Sequence, residues 1–226
     1  MPFVFAPPQQ AAIPVLDERY EFFPVNRVFG IARNYNEPGA AKTPEPFYFM
    51  KSTDCVLPVA EGTVADVPHP DFSRDLRHEV ELVACLGRGG RNMTLEEAEA
   101  AVWGWCAGID FTLADVALPS GGRDLTIGKS FERSAPVSYV RPAYRAPLPQ
   151  PVDLWLYVNN QKRQAGSTTG LIRSVYEQIV ELSRYWTLTP GDIIFTGTPG
   201  GAGTLARGDL IDAGVNGVGA LKVRIV

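Results

Sequence analysis

Residues 77–87 read RHEVELVACLG, and the fold turns on how this stretch is placed. From Val80 it runs through β-branched and apolar residues to Gly87, the pattern of a buried strand. Side chains alternate between the faces of a strand, so Glu79 and Glu81 share one face while Val80 and Leu82 share the other. Two like charges on a half-buried face repel, and each is costly to desolvate without a partner. Either that face is wet, or a cation sits against it. For an arbitrary E-x-E, the solvated face is the commoner answer.

The text on either side supports a strand-rich chain. Val28 to Ala32 and FYFMKS (47–52) are strand candidates, and RNYNEPGAAKTPEP (33–46) between them reads as a loop or lid. Thr94 and Glu97 form a capping-box pattern that predicts a short helix to about Val102. WGWCAGIDFTLAD (103–115) predicts a returning strand with Cys106, Gly108 and Asp110 on one face. Leu154 to Val158 is a further strand, turned by Asn159-Asn160. Leu171, Ile172, Val175, Ile179 and Leu182 recur at helical spacing and predict an amphipathic helix over about 169–185. Pro190-Gly191-Asp192 is a turn before IIFTG, and Asn216-Gly217 marks a hairpin near the C-terminus. The class is α+β, rich in β. Residues 1–24 read as an extended, proline-punctuated lead-in, and 25–226 as one domain.

Bulk properties narrow the function. The 226 residues carry a net charge of −4 without any basic run, which argues against nucleic acid and anionic membrane as partners. No stretch approaches the roughly 20 apolar residues of a membrane span. The N-terminus lacks a signal-peptide pattern, so a cytosolic, cytoplasmic protein is expected. Cys55, Cys85 and Cys106 have no metal-type spacing and read as buried, reduced thiols. Two histidines, His69 and His78, are too few for a histidine-built metal site. TGTPGGAG (196–203) has neither the phosphate-loop nor the dinucleotide pattern, so its glycines are read as tight turns that bring backbone near a ligand.

If the returning strand carries Asp110 to the Glu79/Glu81 face, three carboxylates meet beside small neighbours. Such a hard oxygen set suits Mg²⁺, Mn²⁺ or Ca²⁺ rather than zinc.

RHEVELVACLG, GIDFTLADV, GKSFERSAPVS and PGDIIFTGTPGGAG occur in the order found in the fumarylacetoacetate hydrolase family. The chain resembles the small fumarylpyruvate and acylpyruvate hydrolases from about Phe23 to its C-terminus. That resemblance implies a mixed β-sandwich roll with a few short helices, a homodimer, and a divalent cation held by Glu79, Glu81 and Asp110. It also implies that Lys129 reaches substrate oxygens and that Thr198 hydrogen-bonds a substrate carboxylate. The small-molecule partner is then a 2-oxo or 2,4-dioxo acid, with the cation acting as a Lewis acid and Lys129 adding fixed positive charge.

The sequence also departs from the family. Where hydrolytic members carry a water-activating histidine and glutamate in the lid, Pro38 and Ala41 stand here. Ala114 and Ala117 replace an arginine and a glutamine, and Ser52 replaces a proline. Glu37 is the one carboxylate in RNYNEPGAA and the candidate substitute base. Three readings follow: a metal-dependent hydrolase of an acylpyruvate, with fumarylpyruvate leading; an oxaloacetate decarboxylase or keto-enol tautomerase; or a silent family member that binds 2-oxo acids.

Overall fold

The computed structural model describes residues 3–18, 21–36, 45–117, 124–145 and 151–226. Among these, two sheets carry the architecture. The larger runs in the order Phe47–Lys51, Val28–Ala32, Ile193–Phe195, Val80–Leu86, Val102–Ile109, Ala135–Val137, Val56–Pro58, with Arg141–Pro142 also on Val102–Ile109. The smaller runs Gln161–Ser167, Asp153–Val158, Leu210–Val215, Gly219–Ile225, Val64–Val67. Ile193–Phe195 is parallel to Val28–Ala32 and antiparallel to Val80–Leu86, so the large sheet is mixed. The expected β-rich sandwich with short helices is the observed one.

The strand at Val80–Leu86 is buried along its whole length, and its pleat divides the core in two. Val80, Leu82, Ala84 and Leu86 join Ile109, Leu154, Leu156, Ile211 and Val223 between the sheets, with Ile179 and Leu182 from the long helix. Val83 and Cys85 face the other way and pack with Cys106, Ile193, Phe195, Val28, Ile13 and Phe23. Cys55, Cys85 and Cys106 are all free and buried, as composition indicated. Within the lead-in, Ala12–Pro14 pairs with Phe22–Pro24, Ile13 and Phe23 belong to the second cluster, and Val15 is buried as well.

The Thr94/Glu97 capping box is formed and starts the helix Leu95–Ala101. The Asn159-Asn160 turn has positive φ at both residues, which asparagine tolerates better than most. One boundary needs correction. The helix expected over 169–185 spans Val175–Tyr185. Ser174 caps it in a second capping box with Glu177. The apolar residues before it, Leu171 and Ile172, pair instead with the Asn34–Tyr35 backbone. Their periodicity reflects partial burial in an extended segment, not another helical turn.

Gly108 lies opposite Glu81 in the ladder, and a Cβ there would stand 2.7 Å from both Phe195 and Val83. Neither neighbour has room to retreat within a packed core. Gly108→Ala should cost about 1–3 kcal/mol through overpacking. That is a fall in Tm of several degrees for a chain of this size, read by thermal unfolding. An unchanged Tm would show that the second cluster is looser than its contacts indicate.

Candidate metal centre

Strand register builds the site. Glu81 sits opposite Gly108, and the Asp110 N–H donates to the Glu79 carbonyl at 2.8 Å, which carries the pairing past the end of the strand. Glu79, Glu81 and Asp110 therefore share a face, floored by a residue without a side chain. Each offers a carboxylate oxygen within 4.8 Å of the others. Oxygens bound to one hard cation at about 2.0–2.6 Å lie no more than about 5 Å apart, so the spacing fits a single ion. Among the described residues this is the one acidic cluster of its kind.

Glu81 and Asp110 are buried, and Glu79 is partly exposed. Each carboxylate is held by protein donors. Glu79 accepts from the Thr112 hydroxyl at 2.6 Å, Glu81 from the Gly197 N–H at 2.7 Å, and Asp110 from the Lys51 ammonium at 2.7 Å. Lys129 Nζ bridges Asp110 Oδ2 at 2.6 Å and Glu79 Oε2 at 3.1 Å, with the Phe49 ring centroid 4.8 Å away. Gly197 has φ of 105°, a region open to glycine, and this turn aims its N–H at Glu81. The tight-turn reading of TGTPGGAG is thus realised at the site itself.

Charge explains the protonation states. Three carboxylates against two ammoniums leave one net negative charge in a space with little water. Burial, together with Asp110 and Glu79, pushes the Glu81 carboxyl well above the usual carboxylate range. Burial would raise Asp110 too, but the Lys129 and Lys51 ammoniums outweigh it and hold that carboxyl low. Burial works against the Lys129 charge, yet Asp110 and Glu79 lift its pKa above the ordinary lysine value. Burial and the Glu81 charge raise Tyr35, so its phenol stays neutral near pH 7.

Thr198 is placed beside this cluster, but its hydroxyl has internal partners. It donates to the Val80 carbonyl at 2.8 Å and accepts from Gln164 Nε2 at 2.8 Å. Gln164 is wholly buried, and its oxygen in turn faces the Val80 N–H and His78 Nδ1. Glu37, Pro38 and Ala41 lie outside the described residues. The chain reaches them from Asn34, whose side chain bonds the Arg173 and Thr196 carbonyls and the Arg173 N–H. Ala114 and Ala117 lie in the short helix Ala114–Ala117, where Ala117 occupies the space that a Gly128 side chain would need.

Sequence reasoning missed Lys51, Thr112, Gln164 and Tyr35. A signal existed for Lys51, which stands two residues from Phe49 in a strand and shares its buried face. Ser52, where the family has proline, keeps an N–H that donates to Ser130 Oγ at 3.1 Å and ties the two lysine-bearing segments together.

Residues 27–226 match the family profile described as fumarylacetoacetate (FAA) hydrolase C-terminal. The chain belongs to the fumarylacetoacetate hydrolase family. Its structure is similar to that of a fumarylpyruvate hydrolase from Pseudomonas aeruginosa in complex with Mn²⁺ and pyruvate. The TM-score is 0.92 and the identity 36%, covering 100% of this chain and 99% of that one. A mitochondrial oxaloacetate tautomerase of Bos taurus is 36% identical over 201 residues, which is 86% of this chain and 89% of the relative. A 5-carboxymethyl-2-hydroxymuconate delta-isomerase from Mycobacterium smegmatis aligns with a TM-score of 0.81 at 25% identity, covering 96% of this chain and 82% of that one. The family thus includes hydrolases, isomerases and tautomerases, and this chain is a metal-dependent enzyme of that family.

Protonation of Glu81 gives a testable sign. Its folded pKa lies above the unfolded value, so the stability it contributes is present below the unfolded pKa and is lost as pH rises through the folded one. Protein stripped of cations should therefore be destabilised by Glu81 ionisation as pH rises, and Mg²⁺ or Mn²⁺ should restore it. Ion uptake should release a proton from Glu81, so affinity falls as pH falls. Calorimetry in two buffers of different ionisation enthalpy reads that proton directly. Equal heats in both buffers would show that Glu81 gives up no proton on ion uptake and overturn this prediction.

Proposed function

We propose that this chain is a divalent-cation-dependent hydrolase that cleaves the C–C bond of a 2,4-dioxo acid, with fumarylpyruvate as the leading substrate. The observation that carries this reading is the convergence of Glu79, Glu81 and Asp110 on oxygens within 4.8 Å, with Lys129 reaching two of them. The end-to-end likeness to a fumarylpyruvate hydrolase supports it, including the segment before residue 27.

The donor set is all oxygen and buried, which fits Mg²⁺ or Mn²⁺ held by Glu79, Glu81 and Asp110. When bound, the cation supplies Lewis-acid polarisation of the substrate's carboxylate and 2-oxo oxygen. Lys129 keeps its proton and serves as a fixed positive charge beside the oxygen on which negative charge develops. Thr198 contributes a hydroxyl to the substrate carboxylate, in competition with the Val80 carbonyl that holds its proton. Tyr35, neutral near pH 7, can donate a hydrogen bond but is unsuited to act as a base. Glu37 is the base for the attacking water. The enzyme is a cytosolic homodimer, a reading the family resemblance supports and light scattering tests; among the described residues no helix is long and apolar enough to cross a membrane.

A second reading is favoured by one feature, the Pro38 and Ala41 that stand where hydrolytic members have the lid dyad. Keto-enol tautomerisation or decarboxylation of oxaloacetate needs no activated water, and the Bos taurus relative bears the tautomerase name.

Turnover with Mn²⁺ against fumarylpyruvate, acetylpyruvate and oxaloacetate separates the readings. Release of pyruvate from the first two supports the hydrolase. Exchange of deuterium at C3 without cleavage sinks it and supports the tautomerase. Inertness toward all three supports a silent binder. Glu37→Gln should suppress cleavage while sparing C3 exchange; undiminished cleavage removes Glu37 from the mechanism. Lys129→Ala should lower kcat by roughly 10²–10³-fold, the scale of a lost charge-stabilising donor. Thr198→Val should act mainly on KM.

A further inference from the structure

Glu79 and Asp110 present their oxygens unequally. In each, one oxygen is shared with Lys129 and the other is taken by a separate donor. Thr112 Oγ1 takes Glu79 Oε1 at 2.6 Å, and Lys51 Nζ takes Asp110 Oδ1 at 2.7 Å. The two remaining oxygens, Glu79 Oε2 and Asp110 Oδ2, converge on Lys129 Nζ. In Glu81, Oε2 accepts from the Gly197 N–H. One oxygen of Glu79 and one of Asp110 is thus held by a donor of its own, and the oxygen that meets Lys129 is the one that faces a shared ion.

Neither donor is a loose surface contact. Lys51 is 3% exposed, in a strand whose partner is the buried Val28. Its ammonium is also 3.4 Å from the Phe111 carbonyl. Thr112 is 7% exposed, in the two-residue pairing with Arg77 that follows Asp110. Both donors are fixed by backbone that the fold already requires.

Coordination chemistry gives this arrangement a consequence. Mg²⁺ and ions like it take six oxygens near 2.1 Å and favour one oxygen per carboxylate. Ca²⁺ takes six to eight at longer range and gains from carboxylates that offer both. We propose that Lys51 and Thr112 are ion-selecting residues, which hold Asp110 and Glu79 to one inward oxygen each and so favour a small octahedral dication over Ca²⁺. The inference rests on the assignment of a divalent cation to Glu79, Glu81 and Asp110. It concerns ligand geometry rather than turnover, so it can be tested without substrate.

The experiment is calorimetric titration of the full-length, chelator-stripped protein with MgCl₂ and with CaCl₂, read as the ratio of the two Kd values. Loss of the Lys51 charge strengthens both dications through the same electrostatic change, so the ratio isolates geometry. Thr112→Val leaves the site's charge untouched and gives the cleaner arm. Lys51→Met and Thr112→Val should each shift the ratio toward Ca²⁺ by roughly tenfold or more, the scale on which outer partners of metal ligands act. Thr112→Ser, which keeps the hydroxyl, should retain the wild-type ratio.

If Lys51→Met does not fold, the Thr112 pair decides. A ratio within about twofold of wild type in folded Thr112→Val and Lys51→Met overturns the proposal. A shift in one alone removes the other residue from it. A loss of preference in Thr112→Ser equal to that in Thr112→Val shows that packing, not the hydroxyl, is responsible, and also overturns it. Should wild type take up neither ion, the metal assignment falls and this inference falls with it, a result distinguishable from an unchanged ratio.

Discussion

Asp110 lies wholly buried between two ammonium groups, and the site depends on that arrangement. An isolated carboxylate in such a place would take up a proton, because burial penalises charge by several kcal/mol. The Lys129 and Lys51 ammoniums outweigh burial and hold the Asp110 carboxyl low, whereas burial and the neighbouring Asp110 and Glu79 carboxylates push Glu81 up. Two carboxyls of one cluster are thus shifted in opposite directions by what stands around them. With both lysines charged, an incoming dication takes the cluster from one net negative to one net positive charge.

The fold exists in large part to hold these groups at that distance. Glu79, Glu81 and Asp110 come from adjacent antiparallel strands, so the ladder fixes their relative position. Lys51 arrives on the strand Phe47–Lys51, three places across the same sheet from Val80–Leu86, and Lys129 at the end of the helix Leu125–Lys129. Gly30 and Gly108 have no Cβ where the Phe49 ring and Phe195 lie. Those absences let aromatic surfaces close over the sheet beside the charges, which keeps the local dielectric low and every ion pair strong.

Sequence made much of this legible because alternation and turn chemistry are local signals. RHEVELVACLG reveals which residues share a face, and GIDF brings back the third carboxylate. The Thr94 cap and the Asn159-Asn160 turn are equally local. The start of the long helix was less legible because Leu171 and Ile172 are half-buried for a non-local reason, pairing with Asn34 and Tyr35 far back in the chain. Gln164, and the role of Lys51, were hidden for the same reason. A buried lysine or glutamine declares itself only when its partner is known, and these partners lie 59 residues away for Lys51 and up to 86 for Gln164. The resemblance to the family located Lys129 and Thr198, but not the internal partners that hold the Thr198 hydroxyl.

Gln164 has a further consequence. It is the amide through which the smaller sheet grips the larger, with its oxygen facing His78 and Val80 and its nitrogen donating to Thr198 and Pro199. Separating the layers here would strand several polar groups at once in a dry interior, each at a cost of about 1–3 kcal/mol. The strand entrance beside the acidic cluster and the turn that aims Gly197 therefore belong to a single cooperative unit. Amide protons around Val80 should exchange through global rather than local opening. A site wired in this way keeps its geometry until the whole molecule unfolds.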